Sequence, residues 1–490
     1  MKRREFIKTL GIVTPSLAIK NSTLNAFCCV PSDYNRKPNI VIIVADDVGW
    51  GDVGYHGAEI DTPHIDRFVE QGVELDRFYV CPVCSPTRAG LLTGRYPIRR
   101  GLQRRVIKPW DNRGMPPDEK LLPEMLAKAG YKKRGIFGKW HLGESSRKYH
   151  PIDQGFTNFY GMYRSAIDYF SHKTKGALDW HDQYDLSFDK GYSTHLIGNR
   201  AVQFIRENAT QKEPFFLYIP FNAIHTPNHY PQNYIDRYQH ISDKKRREKA
   251  AMITAMDDNI GHILKTIDEM GITDNTIVLF LSDNGGATKA GSVNLPLRGG
   301  KTDLFEGGIR VPAAIRWPNG ITGGRKVDVP ISYIDIFPTL QNIVGCTPQK
   351  NVEIDGDNVL DFIKRKRTHR NWEFYSYFGT RQPNKYSKTK NQIGTFELNA
   401  LNTIEWKIVR NGPNILKAED PLKDAEIHLF HITNDPYEKI NLATQNPGIV
   451  QKMIKKVVDF RRLQPDKLEP VSRRPPKGWK PPDSWKIPDK

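Results

Sequence analysis

Residues 39–47 read NIVIIVADD, a run of β-branched apolar residues that breaks abruptly into Asp46 and Asp47. A strand with one wet face alternates apolar and polar residues. A run without alternation is read as a central strand buried on both faces. Residues 275–285, NTIVLFLSDNG, repeat the design and end in Asp283 and Asn284. Residues 214–227, PFFLYIPFNAIHTP, form a third such strand, running into a loop with His225. Helical periodicity falls between them, over 62–73, 88–94, 119–129, 193–208 and 244–270. This alternation predicts an α/β fold, a mixed, mostly parallel sheet between helices. Ligands in such sheets collect at the carboxyl ends of strands. All five of these polar residues fall there.

The chain has 490 residues, 38% hydrophobic and 26% charged, long enough for one large α/β domain and a smaller one. The expected organisation is a domain over 38–350, an antiparallel subdomain with a helix over 351–463, and a Pro/Lys-rich tail over 464–490. The subdomain is read from WEFYSYFG, TIEWKIVRNG and EIHLFHI, with NPGIVQKMIKKVVDFRRL as an amphipathic helix. The tail is expected to be extended over the surface or partly disordered. Residues 1–26, with Arg3 and Arg4 ahead of a mildly apolar stretch, resemble a twin-arginine export signal, the alternative being an ordinary amphipathic helix. The first expectation places the protein in the periplasm or outside the cell. No later run is apolar enough to span a membrane.

The formal net charge is +18; residues 1–26 hold five basic residues and one acid, so +14 stays after cleavage. Such a charge favours polyanionic partners: nucleic acid, anionic membrane or sulfated polysaccharide. Export argues against nucleic acid. Five cysteines do not make a disulfide scaffold; Cys346 is read as a small buried packing residue.

Three carboxylates and one amide at two buried strand ends need a neutralising partner. Neighbouring side chains on a regular strand point to opposite faces, so Asp46 and Asp47 converge only if the chain turns there. Oxygen donors with no adjacent histidine or thiol suit calcium or magnesium better than zinc. A second signal is CPVCSPTRAGLLTG, 81–94. A helix starting about Pro86 would put Cys84 at its N-terminus, where an anion is favoured. From the residues alone, Cys84 is open to readings as nucleophile, zinc ligand or packing residue, and Cys81 with Cys84 to a redox pair.

PVCSPTRAGLLTG resembles the signature of the type I sulfatases, within the alkaline-phosphatase-like superfamily. ADDVGWGDVG (45–54), GKWHLG (138–143), FNAIHTP (221–227), LSDNGG (281–286) and LRGGKTDLFEGGIRVP (297–312) are similar to family motifs in the family's order. LFHITNDPYEKINLA (429–443) resembles its C-terminal stretch, so the likeness covers roughly 38–460. One departure stands at GYKKRGIFGKWH (130–141): Lys133 replaces a usual threonine and the segment is one residue longer, which puts the strand register in question.

The resemblance implies an alkaline-phosphatase-like fold, hydrolysis of sulfate esters, one Ca2+ and conversion of Cys84 to formylglycine (3-oxoalanine) by a formylglycine-generating or anaerobic sulfatase-maturating enzyme. The geminal diol of the hydrated aldehyde would attack sulfur with one hydroxyl and expel sulfate with the other. Asp46, Asp47, Asp283 and Asn284, with residue 84 itself, would surround the metal. Arg88 would orient the hydrate, Lys139 and Lys301 would bind sulfate oxygens, His141 would assist at the hydrate, and His225 would protonate the leaving oxygen. Lys139 and His141, two apart, would share a cavity on an extended backbone. His172, His181, His195 and His229 are read as structural. GLQRRVIKPWDNRGMPPDEKLLPEMLAKAGY and GFTNFYGMYRSAIDYFSH are most similar to the N-acetylgalactosamine-4-sulfatase (arylsulfatase B-like) branch, implying a 4-O-sulfate on a galacto-configured sugar of a polysaccharide or glycosaminoglycan. The basic, aromatic stretch 99–110 and the Trp-rich tail are candidate contacts for such a chain. The alternatives are a phosphodiesterase or phosphonate monoester hydrolase of the same superfamily, and a non-catalytic polysaccharide-binding relative.

Overall fold

The structure is a computed structural model; it describes residues 36–347, 352–380, 396–468, 471 and 474–487. The expected export signal, residues 1–26, lies outside them.

A ten-stranded mixed sheet forms the frame. Its centre is the strand Asn39–Ala45, flanked in parallel by Phe215–Pro220 on one side and Thr276–Ser282 on the other. Lys133–Lys139 and Asn158–Met162 extend the parallel run. Ala313–Arg316 joins the other side antiparallel, with Val73–Leu75 and Arg325–Val327 beyond it. The reason for the unbroken apolar run is visible in the packing. Ile40, Ile42 and Val44 enter one buried cluster, while Val41, Ile43 and Ala45 enter the other. At about 1.5–3 kcal/mol per buried aliphatic side chain, one strand feeding two cores makes a large contribution. Helices Ser193–Ala209 and Lys244–Glu269 cover one face; Cys84–Thr93 and Leu122–Lys128 cover the other. Asp243 starts the longest helix, its carboxylate accepting the Arg246 N–H at 2.8 Å.

The extra residue at 130–141 does not disturb register. Lys133–Lys139 pairs regularly with both neighbours, from Phe215↔Lys133 to Lys139↔Met162. Gly138 is required there: its φ is +125°, and a Cβ would lie 2.0 Å from the Pro220 carbonyl oxygen.

A second sheet of four antiparallel strands follows, Glu373–Thr380, Phe396–Thr403, Trp406–Pro413 and Glu426–His431. Helix Pro447–Arg461 packs Val450, Met453, Ile454 and Val457 on Leu401, Ile408 and Leu429. The strand at 396–403 has no counterpart among the three segments read from sequence; FELNALNT carries two asparagines and a glutamate that weaken its strand signal. Cys346 is buried as expected, but it is disulfide-bonded rather than a packing residue alone.

The two sheets meet through a buried ionic cluster. Lys407 Nζ contacts Glu306 Oε1 at 2.9 Å and Glu438 Oε1 at 2.8 Å, with all three side chains shut off from solvent. Tyr79 and Asn402 donate to Glu306 as well. Glu306 lies five residues after Lys301, so this lysine of the second sheet anchors the Lys301 loop. Lys407→Met leaves two buried carboxylates facing each other. It is expected to lower the unfolding free energy by about 3–5 kcal/mol, read as a fall in denaturant midpoint; an unchanged midpoint would mean the cluster contributes nothing.

Burial, against the pull of Lys407, pushes the Glu438 carboxyl up to about 7. Between its unfolded value near 4.5 and 7, the folded chain holds a proton that the unfolded chain has released. This contribution to stability therefore falls as pH rises through that window and is flat above it. Glu438→Gln should flatten the dependence by on the order of 1–3 kcal/mol. Denaturant titrations of both proteins at pH 5 and pH 8 check the slope.

Candidate active site

The ten residues singled out by sequence converge at the carboxyl ends of the central strands. The turn demanded of Asp46 and Asp47 is present: the strand ends at Ala45 and Asp47 has φ +68°. Asp46 N–H donates to Ala223 O (2.9 Å) and Asp283 N–H to Ala45 O (3.0 Å), which locks the three strand ends together. Gly285 is held where a Cβ would lie 1.9 Å from Gly307 O, so the SDNGG and FEGG loops meet backbone to backbone.

Cys84 is the first residue of helix Cys84–Thr93, two before the expected start. One ligand atom each from Asp46, Cys84 and Asp283 lies within 4.8 Å of the others, as does one each from Asp46, Asp47 and His225. Arg88 donates to Asp283 Oδ2 from Nε (3.0 Å) and Nη2 (2.7 Å), and from Nη1 to the Lys139 carbonyl (2.9 Å). Lys139 Nζ donates to Asp46 Oδ2. Lys301 Nζ spans both oxygens of Asp47 at 2.6 and 2.7 Å. Asn284 Nδ2 donates to Asp47 Oδ1 at 2.8 Å. His225 Nε2 stands 3.8 Å from Asp47 Oδ2.

Lys139 and His141 do share the cavity, but an extended backbone is not the reason. His141 has φ +56°, with its N–H on Tyr163 O at 2.9 Å, so the strand has already ended. His141 Nε2 lies 3.2 Å from Ile107 O, which can only accept, so Nε2 carries the hydrogen. Nδ1 is then the lone-pair atom, 3.2 Å from Cys84 Sγ. His225 Nδ1 similarly donates to Thr226 O at 2.7 Å, leaving Nε2 as its lone-pair atom.

Burial first, then Lys139 and Arg88, holds the His141 imidazole well below its ordinary value. Burial and Lys301 lower His225 to about 3. Burial would raise Asp47, yet Lys301 and His225 hold it well below the carboxylate range. Asp283 is pushed up to about 6 by burial and by Asp46. Burial raises the Cys84 thiol, with Lys139 pulling the other way, so an unmodified thiol is not an activated thiolate here. Cys81 packs elsewhere: its Sγ lies 3.1 Å from Tyr333 Oη, and burial takes it to about 12. The two cysteines are both free, and each meets a different partner.

The donor set fits a hard divalent cation. Asp46 Oδ1 and Asn284 Oδ1 are buried and lack a hydrogen-bond partner, and each belongs to the oxygen set expected to hold a metal. Three carboxylates (Asp46, Asp47, Asp283) face three fixed cations (Arg88, Lys139, Lys301), so a divalent ion would turn a formally neutral pocket into one charged +2, suited to an anion.

Sequence reasoning missed supporting residues. Ser282 Oγ accepts the Val48 N–H (3.1 Å), Ser292 Oγ donates to Asp47 O (3.2 Å), and Ile107 O fixes the His141 tautomer. These act through loop backbone, which leaves no residue-type signal. His172, His181 and His195 are structural as expected, bonded to Gly191 O, Asp179 and Asn259. His229 stands 3.3 Å from Asp168.

Fold and site together define a hydrolase of the alkaline-phosphatase-like class. The sulfatase family model matches residues 38–346. The chain belongs to the sulfatase family and is a sulfuric ester hydrolase. It is 31% identical to arylsulfatase J of Mus musculus over 87% of this chain and 76% of that protein. It is 32% identical to N-acetylgalactosamine-6-sulfatase of Homo sapiens over 83% and 82%. Among solved structures, Ps i-CgsB superposes with TM-score 0.78 at 30% identity, covering 88% of this chain and 94% of that one; the same protein is also solved in complex with k-i-k-neocarrahexaose. No helix among the described residues is long and apolar enough to cross a membrane.

Proposed function

We propose that this sulfatase removes a 4-O-sulfate from a galacto-configured unit of a sulfated polysaccharide or glycosaminoglycan, outside the cytoplasm, with residue 84 as formylglycine and one Ca2+. The observation that carries the site assignment is that Asp46 and Asp283 gather at residue 84, Asp47 gathers at Asp46 and holds Asn284, and Asp46 Oδ1 and Asn284 Oδ1 are buried without partners. Those four residues, with residue 84, would hold the ion, whose charge offsets that of the ester and of the attacking oxygen. Formylglycine supplies, as its hydrate, a hydroxyl nucleophile that a buried thiol does not.

The protein's own groups divide the remaining work. Lys139 and Lys301, already at the acid cluster, bind sulfate oxygens. Arg88, fixed on Asp283 and on the Lys139 carbonyl, orients the side chain of residue 84 one helical turn before it. His141 presents a lone pair toward residue 84 and takes or returns its proton. His225 protonates the leaving oxygen. In the free site it is neutral, so it must first gain a proton at Nε2; an anionic ester drawn in beside it favours the imidazolium form.

The galacto configuration is supported by the N-acetylgalactosamine-6-sulfatases among the relatives, and an oligosaccharide substrate by the Ps i-CgsB complex with k-i-k-neocarrahexaose. The sulfate position is supported by the stretches 101–131 and 155–172. Defined oligosaccharides sulfated at O4 or O6 of galactose or N-acetylgalactosamine test it. Faster release from O4 is expected; exclusive release from O6, or from glucosamine or fucose units, would overturn the substrate. A purified protein carrying the N-terminal stretch, found uncleaved in the cytoplasm, would overturn the export assignment.

A further inference from the structure

The tail and the basic stretch 99–110 come together beside the site. A cavity of about 230 Å3 opens next to residue 84, lined by Ile107, Lys108, Trp110, His141, Arg164 and Lys175 among others. His141 is the shared wall, its other edge 3.2 Å from Cys84 Sγ. Residues 474–487 hold the far side in place. Ser484 bridges Leu178, and Trp485 donates from its backbone N–H to Leu178 O (3.0 Å) and from Nε1 to Thr174 O (3.1 Å). This pins the hairpin Lys173–Thr174/Ala177–Leu178, whose turn carries exposed Lys175. The Trp485 ring lies 3.4 Å under the Arg164 guanidinium, and Trp479 meets Trp110 edge-on at 5.6 Å.

We propose that this cavity is a saccharide subsite, formed only with the C-terminal tail in place, for a sugar unit that carries a second acidic group besides the scissile sulfate. The inference rests on the sulfated-saccharide reading above. Glu144 is taken up by Arg164 at 2.7 Å. Among the described residues no carboxylate lies within ion-pair distance of Lys108 or Lys175, so the lining keeps two ammonium groups for an anion. The volume falls below the ~300–1,000 Å3 of drug-sized sites, which suits one ring rather than a chain segment. Trp110 supplies an aromatic side to that ring. Among the described residues, the tail makes no hydrogen bond or ion pair with the acid cluster, so it acts on specificity by positioning the lining.

The test uses the full chain and separates the subsite from the chemistry. Lys175→Ala and Trp485→Ala are assayed on a small aryl sulfate, on a monosulfated oligosaccharide, and on counterparts whose second acid is a sulfate or a uronate carboxylate. The expected result is a loss of at least about tenfold in kcat/KM, through KM, on the doubly acidic substrates, with the aryl sulfate within about twofold. The sulfate and uronate arms distinguish which acid the subsite takes. Calorimetric binding of the same oligosaccharides to Cys84→Ala, with and without Lys175→Ala, reads the subsite without turnover. Failure of the unaltered enzyme on every saccharide would overturn the substrate reading, and the binding arm would still judge the subsite. Because Trp485 is buried and its loss can unfold the tail, Lys175→Ala on the exposed turn is the deciding variant. Equal losses on all substrates, or unchanged binding of the doubly acidic oligosaccharides, would overturn the proposal.

Discussion

Cys84→Ala is expected to lower kcat/KM for an aryl sulfate by at least about 10^4-fold, because it removes the atom from which the proposed nucleophile is made. The side chain stands at the start of a buried helix against His141. Truncation there removes one sulfur atom, so the stability change should stay within about 1–2 kcal/mol. A large kinetic loss with a small stability loss separates a reacting group from a packing one. Cys81→Ala is the internal control: that thiol packs on Tyr333 and points at no member of the acid cluster. Mass spectrometry of the peptide holding residue 84, from a host with a maturating enzyme, should show the thiol group replaced by an aldehyde. Full activity in a protein whose residue 84 remains cysteine throughout would end the assignment.

Asp46→Asn should cost several kcal/mol of transition-state stabilisation, on the order of 10^3-fold in kcat/KM. Asp46 pairs with Lys139, approaches Arg88 at 3.8 Å, and keeps Oδ1 without a partner. Its loss removes a proposed metal ligand and leaves Lys139 without its carboxylate. Chelation of the unaltered enzyme should act in the same direction. It should abolish turnover and also lower the melting temperature, since a ligand that binds only the folded state at about a thousand times its Kd adds ~4 kcal/mol. Calcium should restore both in the unaltered enzyme, while Asp46→Asn should show little response to either treatment. A chelator-treated enzyme with unchanged turnover and melting temperature would contradict the proposed ion.

Much of this was legible in the primary structure for identifiable reasons. The strand at 39–45 was readable because a segment buried on both faces stays apolar between its ends, from Ile40 to Ala45. The acids proposed to hold the metal stood out because like charges buried together at strand ends need a neutralising partner. The bounds of the two longest helices, 193–209 and 244–269, matched their periodicity within one residue. Short elements fared worse: Phe396–Thr403 carries polar residues that its partners bury, so its strand state is decided by pairing with two neighbours. Lys139 and His141 were placed in one cavity on an extended-backbone argument, whereas a left-handed residue after the strand brings them there.

The order of residues along the chain therefore determined the architecture, the family and the identity of the ten convergent side chains, because each is encoded locally by residue type, spacing or motif. Tertiary structure alone decided the rest: which histidine nitrogen faces residue 84, which acids each cation meets, how Lys407 of one sheet anchors the Lys301 loop of the other, and how a tail past residue 474 props a cavity near position 84. Those relations join residues tens to hundreds of positions apart through carbonyl oxygens, buried charge and ring contacts, and such pairings exist only once the chain has closed on itself.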